Sequence, residues 1–151
     1  RSGGTVARLG GIYGPARSVI LLRFLQGLST LDVTPKTPDG RYLNQAHRRD
    51  IVSALALLAT HNGAASNVFN VTDDRPLTQR QVYTTLAARF GRPLPSDAPP
   101  DTSRKRGWTH KRISNSKLRA LGWSPDFPSY PDALDADPEL VPSIESLLSA
   151  D

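Results

Sequence analysis

Cysteine and methionine are both absent from the 151 residues. Without cysteine there are no disulfides, thiolate nucleophiles, zinc–thiolate sites or iron–sulfur clusters. The same absence fits a reducing compartment, the cytoplasm or an organelle interior, rather than secretion. The lack of methionine, with arginine at position 1, leads us to expect a processed or excised piece of a longer chain. No apolar run approaches 18 residues, so no membrane-spanning helix is expected, and no signal-peptide pattern opens the chain. Basic residues are missing from the last 32 positions. All 19 Lys and Arg lie at or before Arg119 with seven acids, a charge of +12, and the remainder carries seven acids, a charge of −7. Such a split suits either a nucleic-acid face beside an acidic tail or two surfaces that complement each other within one fold. The helical spacing of the basic residues favours the second.

With 38% hydrophobic and 22% charged residues, the chain is too apolar to be disordered and long enough for one domain. Thr5–Tyr13 reads as a strand ended by Gly14-Pro15, since proline cannot donate to a ladder. Apolar positions 20, 21, 24, 25 and 28 give an amphipathic helix over 18–28. Asp50 opens a helix whose residues 51–59 are apolar nearly all round, which predicts burial. Asn67–Val71 is β-branched and aromatic, as strands are. Thr78 and Gln81 form a capping box, with Leu77 and Val82 as its staple and Gly91 as the C-terminal stop. Residues 92–102, rich in proline, predict a loop. Ser114 reads as the cap of a short helix toward Gly122, and a last helix is expected over 143–148. The order is strand, helix, strand, helix and mixed tail, an α/β class.

Four phrases carry chemistry: Arg8-Leu-Gly-Gly-Ile-Tyr-Gly-Pro15, Asn44-Gln-Ala-His-Arg-Arg-Asp-Ile51, Asn67-Val-Phe-Asn-Val-Thr-Asp-Asp-Arg-Pro-Leu-Thr78, and Lys111-Arg-Ile-Ser-Asn-Ser-Lys-Leu118 followed by Gly122-Trp123. In this order they resemble the C-terminal half of the extended short-chain dehydrogenase/reductase family, most of all its NAD-dependent epimerase/dehydratase-like members. The resemblance runs from about Thr5 to Tyr130. It implies the C-terminal part of an extended Rossmann-like α/β fold with a small substrate-binding subdomain. Residues 1–130 would form the substrate-side portion and 131–151 an acidic tail with a short helix. The implied cofactor is NAD or NADP, and the implied partners are a small-molecule substrate and a dinucleotide-binding N-terminal half or partner subunit. Two family motifs are missing. No Gly-rich pyrophosphate loop is present, and the four tyrosines are followed four positions on by Arg17, Ala46, Ala87 and Leu134, never by the catalytic lysine. The chain by itself therefore lacks the groups that move hydride and proton.

The resemblance places Gly11, Ile12, Tyr13, Gly14 and Pro15 against the nicotinamide end of the cofactor. Where the family often has glycine after this proline, the chain has Ala16, and a positive φ there would cost energy. Arg17, which offers a planar fork of donors, is the first candidate for gripping an anionic substrate, ahead of Arg23 and Arg41. His47 and Asp50, three residues apart at a helix start, read either as a substrate-site base and its orienter or as structural groups, with Asp50 capping the helix. A third ligand is lacking, so no metal site is expected. Asp73-Asp74 could meet a cation or a sugar hydroxyl, or cap a turn before Pro76. Arg104-Lys-Arg106 with Trp108 and His110 has the composition of a nucleic-acid patch but no accompanying motif. Two rivals stand beside the enzyme-half reading: a non-catalytic accessory subunit descended from the family and, more weakly, a basic nucleic-acid-binding module. A half-fold also predicts an open strand edge and an uncovered apolar face over 51–59.

Overall fold

The computed structural model describes residues 3–103 and 110–150. Their order is β1 (Val6–Leu9), β2 (Gly11–Tyr13), α1 (Val19–Leu25), β3 (Thr30–Asp32), β4 (Tyr42–Leu43), β5 (Gln45–His47), α2 (Arg48–Thr60), β6 (Val68–Val71), β7 (Leu77–Thr78), α3 (Gln79–Phe90), β8 (Ser96–Ala98), α4 (Ser116–Arg119), α5 (Tyr130–Ala136) and α6 (Leu140–Leu148). Strands pair in twos: β1 with β6, β2 with β5 and β3 with β8 run parallel, and β4 with β7 antiparallel. Parallel pairs need crossovers; α1 and α2 lie between β2 and β6, and α3 between β7 and β8. This is the α/β alternation read from the sequence.

The single strand expected over residues 5–13 is two strands with different partners. Gly10 separates them because a Cβ there would lie 2.8 Å from the Asn44 carbonyl oxygen. The backbone can pass Asn44 this closely only without a side chain, and the chain then steps from β6 to β5 as its neighbour. Helix α1 stops at Leu25, short of Leu28, because Gly27 turns left-handed at φ +72°. The capping box at Thr78 and Gln81 and the left-handed Gly91 stop are both present. Ser114 is not the cap of α4, which begins after Asn115; the Ser114 hydroxyl instead accepts the Ser116 N–H just outside the helix. The proline-rich stretch is not all loop either, since Ser96–Ala98 adds to β3 as an edge strand between Pro95 and Pro99. Prolines flanking three residues leave the ladder amides between them free to pair.

Among the described residues two hydrophobic clusters form the core. The first joins Tyr13, α1, Leu31, α3 and the C-terminal residues Phe127, Tyr130, Leu134, Leu140 and Ile144. The second joins α2 through Ile51, Ala54 and Leu58 to Phe69, Val71, Leu118 and Trp123. Helix α2 is not buried all round, as its composition predicted: Val52 and Leu55 are 62% and 43% exposed. One face packs on the strands; the other is uncovered among the described residues. The acidic C-terminal stretch begins its helices earlier than position 143. Ser129 caps α5 by accepting the Asp132 N–H, with Pro131 in the first turn. Three of its acids meet arginines of the basic body. Arg75 meets Asp132 and Arg89 meets Asp135, both at 2.6 Å, and Arg49 meets Asp126 at 3.1 Å. Exposed pairs of this kind contribute about 0–1 kcal/mol each, so they orient the tail more than they hold it. These pairs set part of the acidic stretch against the basic body, in the sense of internal complementarity. Of the candidate nucleic-acid patch, Arg104–Arg106 and Trp108 lie outside the described residues; His110 stacks on Tyr42 at 5.1 Å. No helix among the described residues is long and apolar enough to cross a membrane.

Candidate functional site

Strand β2 ends in a tight turn. The Gly14 N–H donates to the Arg17 carbonyl at 2.8 Å and the Arg17 N–H donates back to Gly14 at 2.9 Å. Between them Ala16 takes φ +60°, the conformation its side chain disfavours. The Ala16 N–H is held by the Ser143 hydroxyl of α6 at 2.7 Å. Gly11 donates to the Asn44 carbonyl at 2.7 Å. The amides of Gly11, Gly14, Ala16 and Arg17 are therefore committed within the protein, and Pro15 has none. What this edge presents outward is Gly11, exposed, with Ile12 and Pro15 half-buried. Arg17 is exposed beside it.

Tyr13 does not face outward. Its ring is 1% exposed, wedged edge-on against His47 at 5.3 Å and Tyr130 at 4.8 Å. Its hydroxyl has no hydrogen-bond partner among the described residues. Burial, with the Asp73 carboxylate next in weight, pushes its pKa far up, so the phenol stays neutral. Tyr130, also raised chiefly by burial, shares a hydrogen bond with Ser18 at 2.8 Å.

His47 and Asp50 are both buried, at 3% and 2% exposure, and each has its own partners. His47 Nε2 lies 2.8 Å from Asp137 Oδ2, while Nδ1 accepts the Arg49 N–H at 3.1 Å and caps α2. An Nδ1 that accepts places the ring proton on Nε2, so His47 donates to Asp137. Asp50 accepts the Asp126 N–H at 2.6 Å and the Phe127 N–H at 3.1 Å. Burial raises its pKa although both amides work against the shift. Histidine 47, not Asp50, is the helix cap; Asp50 ties α2 to the approach to α5. The structure brings Tyr13, Gly14 and His47 together, since β2 and β5 pair Tyr13 with His47. It leaves Arg17 outside this buried group.

Asp73 is the group whose weight sequence reasoning missed. It is 3% exposed, its Oδ1 has no partner among the described residues, and burial followed by the charge of Asp74 raises its pKa to about 8. Only its place two residues after the end of β6 at Val71 hinted at burial. Asp74, by contrast, is held by Asn115 at 2.9 Å and Arg119 at 3.0 Å. Among the described residues no group of three or more His, Asp or Glu is placed to hold a metal ion.

The chain has a mixed α/β, Rossmann-like fold similar to about half of each chain in solved epimerase and short-chain dehydrogenase/reductase structures. Among particular relatives, a 3-diazoavenalumate denitrifying reductase of a Streptomyces species is 31% identical over 147 residues, 87% of this chain and 46% of the relative. A Silicibacter pomeroyi protein of unknown function is 29% identical, with a TM-score of 0.70 over 89% of this chain and 49% of its own. The Thermus thermophilus UDP-glucose 4-epimerase, solved with NAD, is 24% identical, with a TM-score of 0.68 over 92% of this chain and 45% of its own. The chain thus spans about half the length of the relatives it matches. Solved proteins of this fold hold NAD or NADPH. No protein-family model matches the chain.

Proposed function

We propose that the chain is the substrate-side half of an NAD(P)-dependent epimerase, dehydratase or reductase. The observation that carries this reading is the uncovered side of its strand layer. Strand β1 pairs with β6 and with no other strand among the described residues. Val6, Leu9 and Val68 beside it are 50%, 43% and 38% exposed, and Val52 and Leu55 on α2 are exposed too. Apolar surface of this kind marks an interaction site, and a dinucleotide-binding half adding a strand to β1 would cover it. That half would come from the same polypeptide or from a partner subunit. Residues 1–130 then form the substrate side, with 131–151 as its bracing tail.

The edge formed by Gly11, Ile12 and Pro15, with Gly14 buried behind it, fits a nicotinamide ring by packing, since its amides are already committed and the surface is small and largely apolar. Tyr13 supports it from beneath. When bound, the nicotinamide supplies or accepts the hydride. The residues of this chain orient it and shape the pocket: Arg17 offers its guanidinium to an anionic substrate group, while His47 and Asp50 set the positions of β5 and α2 from inside. The proton-moving tyrosine and lysine belong to the other half.

The test is the native mass of the protein in its source, followed by turnover of NADH and NADPH. A species roughly twice the mass of this chain that oxidises either cofactor supports the proposal. A native 16.4 kDa species with no nicotinamide turnover in its assembly refutes it and leaves the accessory-subunit reading.

A further inference from the structure

The turn that the proposal sets against the cofactor is held by a residue 127 positions away. Ala16 sits in the left-handed region at φ +60°, where glycine rests without steric penalty and alanine does not. Something must keep it there. The Ser143 hydroxyl donates its own proton to the Leu140 carbonyl at 2.9 Å, so its lone pairs are fixed in direction and one accepts the Ala16 N–H. Helix α6 is itself immobilised: Leu140 and Ile144, on either side of Ser143, are both 0% exposed and belong to the cluster that includes Leu21 and Leu25 of α1. The next residues of the turn are fixed independently, Arg17 by its paired bonds with Gly14 and Ser18 by Tyr130. Ala16 lies between those paired bonds, and it is the turn residue whose own amide is held by α6.

We propose that Ser143 is a positioning residue for the cofactor-facing turn: its hydroxyl holds Ala16 in the conformation glycine would take unaided, and so fixes the edge that meets the nicotinamide. The functional part rests on the reading of that edge given above. A side chain on α6 thereby does the work of a missing glycine.

The experiment compares Ser143→Ala, Ser143→Thr and the double variant Ser143→Ala with Ala16→Gly. Exchange of the Ala16 amide is followed in the chain, and NADH affinity in the protein joined to its dinucleotide-binding half. Removing the hydroxyl is expected to speed Ala16 exchange about tenfold or more, as loss of one hydrogen bond to an otherwise unprotected amide should, and to weaken NADH severalfold. Threonine, which keeps a hydroxyl, and the added glycine, which needs none, should each restore NADH affinity. Unchanged exchange in Ser143→Ala overturns the proposal outright. Weakened NADH binding that neither threonine nor glycine restores overturns it too, because the defect then lies in the packing of α6. Faster exchange with unchanged NADH affinity overturns the cofactor-facing reading of the turn, and with it the role assigned here to Ser143.

Discussion

Replacing Asp73 by asparagine should make the protein more stable, and more so the higher the pH. The carboxyl is buried, one oxygen is unpartnered among the described residues, and its pKa stands at about 8 against an ordinary 3.8. Between those values the unfolded chain has released the proton and the native chain retains it. The native state binds more protons, so stability falls as pH rises through this window, and the full loss is reached above about pH 8. At about 1.4 kcal/mol per pH unit the span sets a ceiling of about 6 kcal/mol, a large share of the roughly 5–15 kcal/mol that holds a domain together. Asparagine keeps the size and cannot ionise. The effects of Asp50, Asp74 and Arg75 on the Asp73 charge are already counted in its pKa, and what these groups contribute apart from it is common to both proteins. Urea unfolding of wild type and Asp73→Asn at about pH 5, 7 and 9 measures the difference. We expect an advantage of about 2 kcal/mol for the variant at the lowest pH, rising toward the ceiling of about 6 kcal/mol at the highest. Midpoints that run parallel across the series would refute the claim that this carboxyl is held neutral.

Asp50→Asn should do the opposite. Its two oxygens accept two backbone amides, asparagine offers only one acceptor, and a loss of about 2 kcal/mol should appear in the same urea titration at neutral pH. The two buried tyrosines should also diverge. Tyr13→Phe removes a hydroxyl without a partner among the described residues and should stabilise by about 1 kcal/mol, whereas Tyr130→Phe breaks the bond to Ser18 and should destabilise by about as much. Thermal melts of the pair decide it; a matching sign in both would contradict the hydrogen-bond assignment.

Local signals survived translation into structure where short-range chemistry decides the outcome. Thr78, Gln81 and Gly91 delimit α3 as read, because capping needs only neighbours along the chain. The β2 terminus and its Gly-Pro turn were legible for the same reason. The division at Gly10 was not, since it depends on the Asn44 carbonyl, which sequence spacing does not place. Nor was β8, whose three residues pair only because β3 lies alongside. His47 and Asp50 were visible as a pair at a helix start, yet their partners, Asp137 and the amides of Asp126 and Phe127, come from some 76–90 residues onward. The two readings left open for them differ in exactly that long-range information. Ala16 was marked as costly if left-handed; the sequence offered no sign that Ser143 would hold it so.

The links between the first turn and the last helices also set an order of events during synthesis. Ala16 waits for Ser143, Ser18 for Tyr130 and His47 for Asp137, separations of 127, 112 and 90 residues. Contacts this distant pay loop-closure entropy before they return anything. A ribosome that has made the first strand, the turn and α1 has made a structure whose floor is absent, with the apolar faces of Tyr13 and Leu21 open to water. The N-terminal edge acquires its final shape only when nearly all of these residues have emerged. Until then its open apolar faces are prone to aggregation.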